Sequence, residues 1–476
     1  MQEPARIAID LGAESCRVSL LRWINGEPEV ATIHRIPNGP VHRGRWLCWP
    51  LQTILNGLEE GLRKAAAAAP EGIASIAVDS WSVDYVRLAP DGSALHEPFC
   101  YRDERTVATK AAADAIVPPL QLYQRTGVHP NRLNTIYQLL ADPIAGHKDH
   151  IDPHAPWVMM PEYVLYWLGG RRAAEYTNAS HTGLVDLKTG NWDRELFRIL
   201  DLPVEAAPPI VHAGANLGPL QGPLASLDAF RHTQIIAPAT HDTASAIAGI
   251  RTDLSSTVYI CSGTWSLLGT LTSAPVTTRE ALDARYTNLG AATGDHCFHT
   301  LINSMWLLKQ CMESWSAEGR PWEVADIVRK AADCKTIPGV IDVDAEPLLL
   351  DSDMPERINH ELWRLRLETI PDVAGNEPIF ARVIFESLAA RYARSIASLE
   401  SMMDRRFQRI HILGGASRNK LLTQLTEERT GLPVEIGHCE SSTIGNLAVQ
   451  LASSEAHGEP ISAEAIRKWA TVLCNC

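Results

Sequence analysis

The 476-residue chain contains no apolar run near the roughly 20 residues that span a bilayer. Its opening, Met1-Gln2-Glu3-Pro4-Ala5-Arg6, has neither the basic start nor the apolar stretch of a secretory leader. No membrane association is expected, and the expected location is cytoplasmic. Positive charge is scarce: 43 Lys and Arg stand against 56 Asp and Glu, a net charge of −13. That balance argues against nucleic acid and against an anionic membrane surface as partners. The ten cysteines include no C-x-x-C pair, and Cys474 and Cys476 lie too near the terminus to suggest a built metal site. Reduced thiols are the expectation. Two nucleotide signatures are also missing, since neither G-K-[ST] nor G-x-G-x-x-G follows the first strand.

What is present is the composition of a globular protein, 45% apolar and 21% charged. The length exceeds one ordinary core and fits about three domains or two large lobes. Strand and helix patterns alternate through most of the chain, which points to an α/β architecture. Helices are expected over 51–69, 134–141, 160–168 and 379–403, and 205–223, rich in Pro and Gly, reads as a loop. The strand at Ile235-Ile236-Ala237-Pro238 leads into a small-residue helix opened by a capping Asp242 or Thr243. A domain boundary is expected near residue 250, dividing 1–250 from 251–476.

One local design occurs near the start of each half. Arg6 to Leu21 reads as a strand, a turn at Gly12 and a returning strand, and Thr257 to Thr270 repeats this around Gly263. An isolated pattern of this kind is an ordinary hairpin. Two of them at half-length spacing suggest a duplicated domain, whose turns aim backbone N–H groups at phosphate.

Candidate chemistry gathers in a few places. Asp242 sits at a helix start after a strand; it serves there either as a plain cap or as a general base for phosphoryl transfer. Asp10, ending the first strand beside the Gly12 turn, either caps that turn or orients Mg²⁺ through water. Gly414-Gly415 with Asn419 either cradles a nucleotide or turns a strand into a helix. Asp79-Ser80-Trp81-Ser82-Val83-Asp84-Tyr85 and Tyr101-Arg102-Asp103 form a polar-aromatic set suited to a polyol, or equally to a buried ionic brace. Trp81 and Tyr85 read as core. Among the 17 histidines only His241 has a neighbourhood that suggests function.

Together these motifs resemble the FGGY carbohydrate kinases. The resemblance runs from Ile7 to about Leu451. It rests on Ala8-Ile9-Asp10-Leu11-Gly12-Ala13, the Asp79 and Tyr101 segments, Asn134-Thr135-Ile136-Tyr137-Gln138-Leu139 and Glu175-Tyr176-Thr177-Asn178-Ala179. It continues through His241-Asp242-Thr243-Ala244-Ser245-Ala246, Ser262-Gly263-Thr264-Trp265-Ser266-Leu267, Gly414-Gly415 with Asn419, and Ser442-Thr443-Ile444-Gly445-Asn446. The resemblance implies two actin-like (ribonuclease-H-like) domains with ATP, Mg²⁺ and a sugar in a central inter-domain cleft. It makes Asp242 the catalytic base and His241 and Thr243 sugar contacts, with Ser82, Asp84, Arg102, Asp103 and Asn303 as further sugar-site residues. Nucleotide contacts would be Ala13, Glu14, Ser15, Cys16, Arg17, Gly263, Thr264, Lys309, Gly414, Gly415 and Asn419.

The chain also departs from the family pattern. Ser82 and Cys16 stand where relatives carry glycine. Ala416 replaces a third glycine, where a positive φ would carry a steric cost. An ungapped match puts Leu301 and Lys309 at two amide contacts of the family, with Asn303 as a displaced substitute. The expectation is an ATP-dependent ketose kinase whose partners are a small sugar and ATP. A silent sensor on the same scaffold is favoured by Cys16 and Ala416 and opposed by Asp10, Asp242 and Gly263-Thr264. A filament-forming protein is opposed by the Asp242 site and the aromatic set.

Overall fold

The structure is a computed structural model that describes residues 3–142, 151–350, 353–438 and 440–474; Cys439 and Cys476 lie outside them. Along the chain come β1 (Ala5–Leu11), β2 (Ser15–Ile24), β3 (Glu27–Pro37), α1 (Leu51–Ala68) and β4 (Ile73–Ser80). Then follow α2 (Thr135–Ala141), α3 (Met160–Gly169), α4 (Tyr176–Ala179), β5 (Asn216–Pro219), β6 (Gln234–Ile236) and α5 (Asp242–Ala248). Next are β7 (Thr257–Ser262), β8 (Trp265–Thr272), β9 (His296–Asn303), α6 (Met305–Ala317) and α7 (Glu377–Met403). The last are β10 (Arg409–Leu413), α8 (Lys420–Thr430), β11 (Val434–Ile436), α9 (Ser441–Ala456) and α10 (Ala463–Leu473).

The chain folds into two compact units. The first comprises Met1–Thr252, Leu271–Phe298 and Ser441–Cys476, the second Asp253–Thr270 and His299–Glu440. The chain returns to the first unit at its end. Apolar burial draws it back. Ile444, Leu447, Ala448, Val449 and Leu451 of α9 pack with Ala8, Leu21 and Ala213, each large side chain contributing about 1.5–3 kcal/mol. Gln450 of α9 donates to the Ile7 carbonyl at 3.0 Å and accepts from the Ser75 hydroxyl at 2.6 Å.

In the first unit six strands lie in the order β5-β6-β4-β1-β2-β3. β1 pairs antiparallel with β2 and parallel with β4, and β4 pairs parallel with β6. Every residue of β1 is buried, as both faces of a central parallel strand require. α1 turns one apolar face to the core, formed by Leu51, Ile54, Leu55, Leu58, Leu62 and Ala65. The segment 205–223, expected as a loop, contributes the edge strand β5. Gly218 and Pro219 hid it, and an edge is where a sheet tolerates such residues.

The second unit repeats this plan in its own sheet. β9, β8, β7, β10 and β11 lie side by side in that order. β7 pairs antiparallel with β8 and parallel with β10, and β10 pairs parallel with β11. The hairpins around Gly12 and Gly263 thus occupy the same topological place in each sheet. Among the described residues, no helix is long and apolar enough to cross a membrane.

Candidate active site

In the first unit the parallel register of β1 and β4 sets Asp10 directly beside Asp79. Asp10 Oδ2 accepts from Arg17 Nη2 at 2.7 Å and from the Ser442 hydroxyl at 2.8 Å. Asp79 Oδ2 accepts from Asn446 Nδ2 at 2.6 Å. Ser442 and Asn446 are one turn apart on α9, so a single helix face reaches both carboxyls. Burial, and then the neighbouring Asp10, hold the Asp79 carboxyl well above the usual range. Among the described residues its buried Oδ1 has no hydrogen-bond partner.

Asp242 follows a short connection from β6. The Ser80 amide donates to the Thr240 carbonyl at 2.9 Å, continuing the sheet to the edge of α5. His241, not Asp242 or Thr243, is the boundary residue of α5, and it makes no side-chain cap. Asp242 is instead the first helical residue. Its Oδ1 accepts the Thr243 amide at 2.5 Å and the Thr243 hydroxyl at 3.1 Å. Surrounding protein lifts this carboxyl to about 6, against those two donors, while its side chain stays 39% exposed. His241 Nε2 lies 3.4 Å from Asp242 Oδ1. Burial lowers the His241 imidazole to about 4, so it is neutral at physiological pH. The ring of His181 stands edge-on to His241 at 5.1 Å, and burial holds it neutral as well. No nearby residue in the chain marks His181, which by sequence is one of the ordinary histidines.

The Ser82 region is a braced corner. Asp84 is fully buried; its Oδ2 accepts from Trp49 Nε1 (2.6 Å), Trp81 Nε1 (3.0 Å) and the Tyr101 amide (3.2 Å). Its Oδ1 accepts from Gln138 Nε2 at 3.0 Å. Asp84 therefore spends its acceptors on protein donors. Burial lifts it to about 6 against those four donors. Trp49 and Trp81 pack with centroids 4.3 Å apart, in the core role expected of Trp81. Asp103 likewise accepts the Leu47 amide at 2.7 Å and the Arg105 amide at 2.8 Å. Arg102 lies over Tyr101 and donates to its hydroxyl at 3.3 Å. Between Ser82 and Asp84, Val83 has φ +70°, a strained conformation for a β-branched residue. Thr135 and Gln138 of α2 donate to its carbonyl at 2.7 and 3.2 Å and hold it there.

The first glycine turn joins β1 to β2. A Cβ on Gly12 would meet the Ser15 carbonyl oxygen at 2.6 Å, so only glycine fits. Asn38 Nδ2 donates to the Gly12 carbonyl at 2.8 Å and steadies the turn carrying Ala13, Glu14 and Ser15. Cys16 fits because its thiol turns inward, 3.9 Å from the Gly12 carbonyl, where burial pushes it up to about 12.

In the second unit the Gly263 amide donates to the Trp265 carbonyl at 2.8 Å, closing its own hairpin instead of facing outward. Ser266 lies 2.7 Å from the Ser262 hydroxyl, 2.8 Å from Ser304 and 2.7 Å from Tyr392, a buried hydroxyl cluster beneath Gly263-Thr264. Gly414 carries the positive φ of the next turn, +80°, and a Cβ there would meet the Ser262 carbonyl oxygen at 2.7 Å. Ala416 has no positive φ, so the cost foreseen for it does not arise; it sits in the helical turn Gly415–Arg418. Asn419 caps α8 by accepting the Leu422 amide at 3.1 Å, and its buried Nδ2 has no partner among the described residues. Asn303 is fully buried and donates to the Val343 and Leu348 carbonyls at 3.1 and 3.0 Å. Lys309 is exposed on α6.

The Asp10 site fits a magnesium ion carried by a nucleotide. Carboxylate and hydroxyl oxygens are the hard ligands Mg²⁺ takes, and the orphaned Asp79 Oδ1 leaves one more beside Asp10. Among the described residues no group of three or more His, Cys, Asp or Glu is placed to hold a metal alone. Mg²⁺ commonly needs only one or two carboxylates when phosphates supply the rest.

Comparison with known proteins shows the family. The models of the N-terminal and C-terminal domains of the FGGY family of carbohydrate kinases match residues 5–249 and 258–454. The rhamnulokinase of Bacteroides thetaiotaomicron is 33% identical over 444 residues, 93% of this chain and 89% of that protein. The rhamnulokinase of Oceanobacillus iheyensis is 31% identical over 453 residues, 94% and 93% of the two chains. Among solved structures, Plasmodium falciparum glycerol kinase with ADP matches with a TM-score of 0.77 at 15% identity, over 98% of this chain and 92% of that one. That likeness is one of fold, two actin-like α/β domains.

Proposed function

The chain belongs to the FGGY family of carbohydrate kinases and is an ATP-dependent sugar kinase, and we propose that its acceptor is L-rhamnulose, phosphorylated to L-rhamnulose 1-phosphate. The observation that carries the choice of sugar is identity of 31–33% with rhamnulokinases over 93–94% of the chain. The observation that supports the mechanism is the part-exposed Asp242 carboxyl, poised near 6 beside the neutral His241 imidazole.

In this reading Asp242, ionised at neutral pH, takes the proton from the primary hydroxyl of the ketose. The alkoxide-like oxygen forms its bond to the γ-phosphorus as the bond to the bridging oxygen of ADP breaks. A positioned base contributes typically 10²–10⁴ in rate. His241 and Thr243 flank the base and orient the sugar; a protonated His241 would instead have tied up the Asp242 carboxylate. Ser82 and Arg102 are the direct sugar contacts of the braced corner. Asp84 and Asp103 hold that corner in shape.

The Gly12 turn, with Ala13 to Arg17, binds phosphate in the first unit. Thr264, Gly414-Gly415, Asn419 and Lys309 serve the nucleotide in the second, and the internally bonded Gly263 shapes its turn. Asn303, with its amide protons engaged by its own unit, supports that site instead of touching sugar. Asp10 would hold Mg²⁺ through water, and there the ion would supply positive charge against the charge that builds on the transferred phosphoryl group. The enzyme acts in the cytoplasm, where its eight described cysteines stay thiols.

A second reading, another ketose such as L-fuculose or a xylulose, draws on Ser82, whose hydroxyl adds a polar contact beside the sugar. ADP release across a panel of these ketoses separates the two. The proposal expects the largest kcat/KM for L-rhamnulose, and a larger value for any other ketose overturns that choice.

A further inference from the structure

Asp242 hangs from a segment, 237–241, that is gripped by two buried glutamates outside the assigned site. Glu175 Oε2 accepts the Thr240 amide at 3.0 Å, the Thr177 amide at 3.0 Å and the Thr177 hydroxyl at 2.5 Å. Glu162 Oε1, from α3, accepts the Glu175 amide at 3.0 Å. The Thr240 hydroxyl lies 2.6 Å from Glu162 Oε1 and 3.2 Å from Glu175 Oε2. The Thr177 hydroxyl in turn accepts the His241 amide at 3.2 Å. Both glutamates are at most 2% exposed.

A threonine hydroxyl has one proton to donate. It can serve one of the two carboxyls, so its contact with the other needs a proton that the other supplies. The remaining oxygens, Glu162 Oε2 and Glu175 Oε1, are buried without hydrogen-bond partners among the described residues. Two anions left in that state would carry a desolvation cost that a single shared proton lowers by leaving one charge in place of two. The groups facing the pair are Thr177, Thr240 and the Glu175 amide. Among the described residues the only charges in these contacts are the two carboxyls, and the next titratable side chains along the segment are His241 and Asp242.

We propose that Glu162 and Glu175 form a proton-sharing carboxyl pair that positions the segment bearing the catalytic base. The anionic charge rests on Glu175 Oε2, which collects the two N–H donors, and the proton rests on Glu162. Burial lifts both carboxyls to about 7, consistent with one proton retained. The positioning role rests on Asp242 being the base; the shared proton does not.

The test compares Glu162→Gln and Glu175→Gln with the unmodified chain by thermal unfolding from pH 5 to pH 8 and by hydrogen exchange of the peptide spanning 237–246. A carboxyl with raised proton affinity gives stability that is complete below its ordinary value of 4.5 and is lost as the pH climbs through about 7. Glutamine keeps the donor at every pH. The midpoint difference between Glu162→Gln and the unmodified chain therefore grows in the variant's favour by about 2 °C from pH 5 to pH 8. A difference that is flat, or that moves the other way, overturns the shared proton.

Glu175→Gln speeds exchange in the 237–246 peptide by about tenfold or more, since a local opening cheaper by 1.4 kcal/mol reads as that factor. It lowers kcat more than it raises the sugar KM, because a displaced base loses alignment, not affinity. Unchanged exchange and kcat in Glu175→Gln overturn the positioning role. An unmodified chain that phosphorylates no ketose fails the kinase reading, and the unfolding and exchange results then judge the pair by themselves.

Discussion

Asp10 and Asp79 occupy the same register position on neighbouring parallel strands, and Ser442 and Asn446, one turn apart on α9, each bond one of them. The carboxyl that has the charged partner, Arg17, is Asp10; Asp79 has an amide. Removing that amide in Asn446→Ala leaves a buried acid without its donor, at about 1–3 kcal/mol. Asp79→Asn, a neutral side chain replacing an acid held well above the usual range, costs far less than Asp79→Ala. Thermal unfolding of the three variants orders them, and equal losses for Asp79→Asn and Asp79→Ala contradict the assignment.

The pH dependence of turnover follows from Asp242. A base must be ionised, so kcat rises about tenfold per unit below the apparent value near 6 and levels off above it. His241, held at about 4, adds no titration between pH 5 and 8. Removing a donor in Thr243→Ala, whose hydroxyl reaches Asp242 at 3.1 Å, moves the limb to higher pH. A pH profile of kcat for the two proteins reads this directly.

Gly445 marks the closest approach of α9 to α5. A Cβ at that position would fall 1.7 Å from the Ser245 carbonyl oxygen and 2.9 Å from the Gly249 amide, and backbone cannot step aside as a side chain can. Gly445→Ala therefore costs more than the roughly 1–3 kcal/mol of ordinary overpacking. Because α9 also carries Ser442 and Asn446, activity and thermal midpoint fall together. A variant with an unchanged midpoint contradicts the packing described here.

Cys16 lies inside the phosphate turn, yet its thiol points into the core and is pushed up to about 12. The thiolate is the reactive form. Iodoacetamide at pH 8 leaves Cys16 unmodified in the folded protein and labels it after denaturation, as peptide mass spectrometry would show.

Much of this was legible in the residues. The long helix ending at Met403 and the strand-turn-helix at Asp242 carry strong local patterns, and both elements are present, the second with His241 in place of the expected cap at Asp242 or Thr243. The paired turns at Gly12 and Gly263 signalled the repeated sheet order. What stayed hidden is long-range. Nothing near Asp79 names Asn446 as its partner, and nothing near Glu162 names Thr240. The return of α9 to the first unit depends on which apolar face wins, which periodicity alone does not decide. Val83 at φ +70° breaks the local preference of valine, and the force that holds it comes from Thr135 and Gln138 on another element.

ADP release with L-rhamnulose and ATP, measured for the unmodified chain and for Asp242→Asn, tests the central claim most directly. The account predicts sugar-dependent ADP release by the unmodified chain and a loss of about 10²–10⁴ in kcat for the variant, with ATP affinity kept. Near-normal turnover by Asp242→Asn, or no release with any ketose by an unmodified chain that binds ATP, would contradict it.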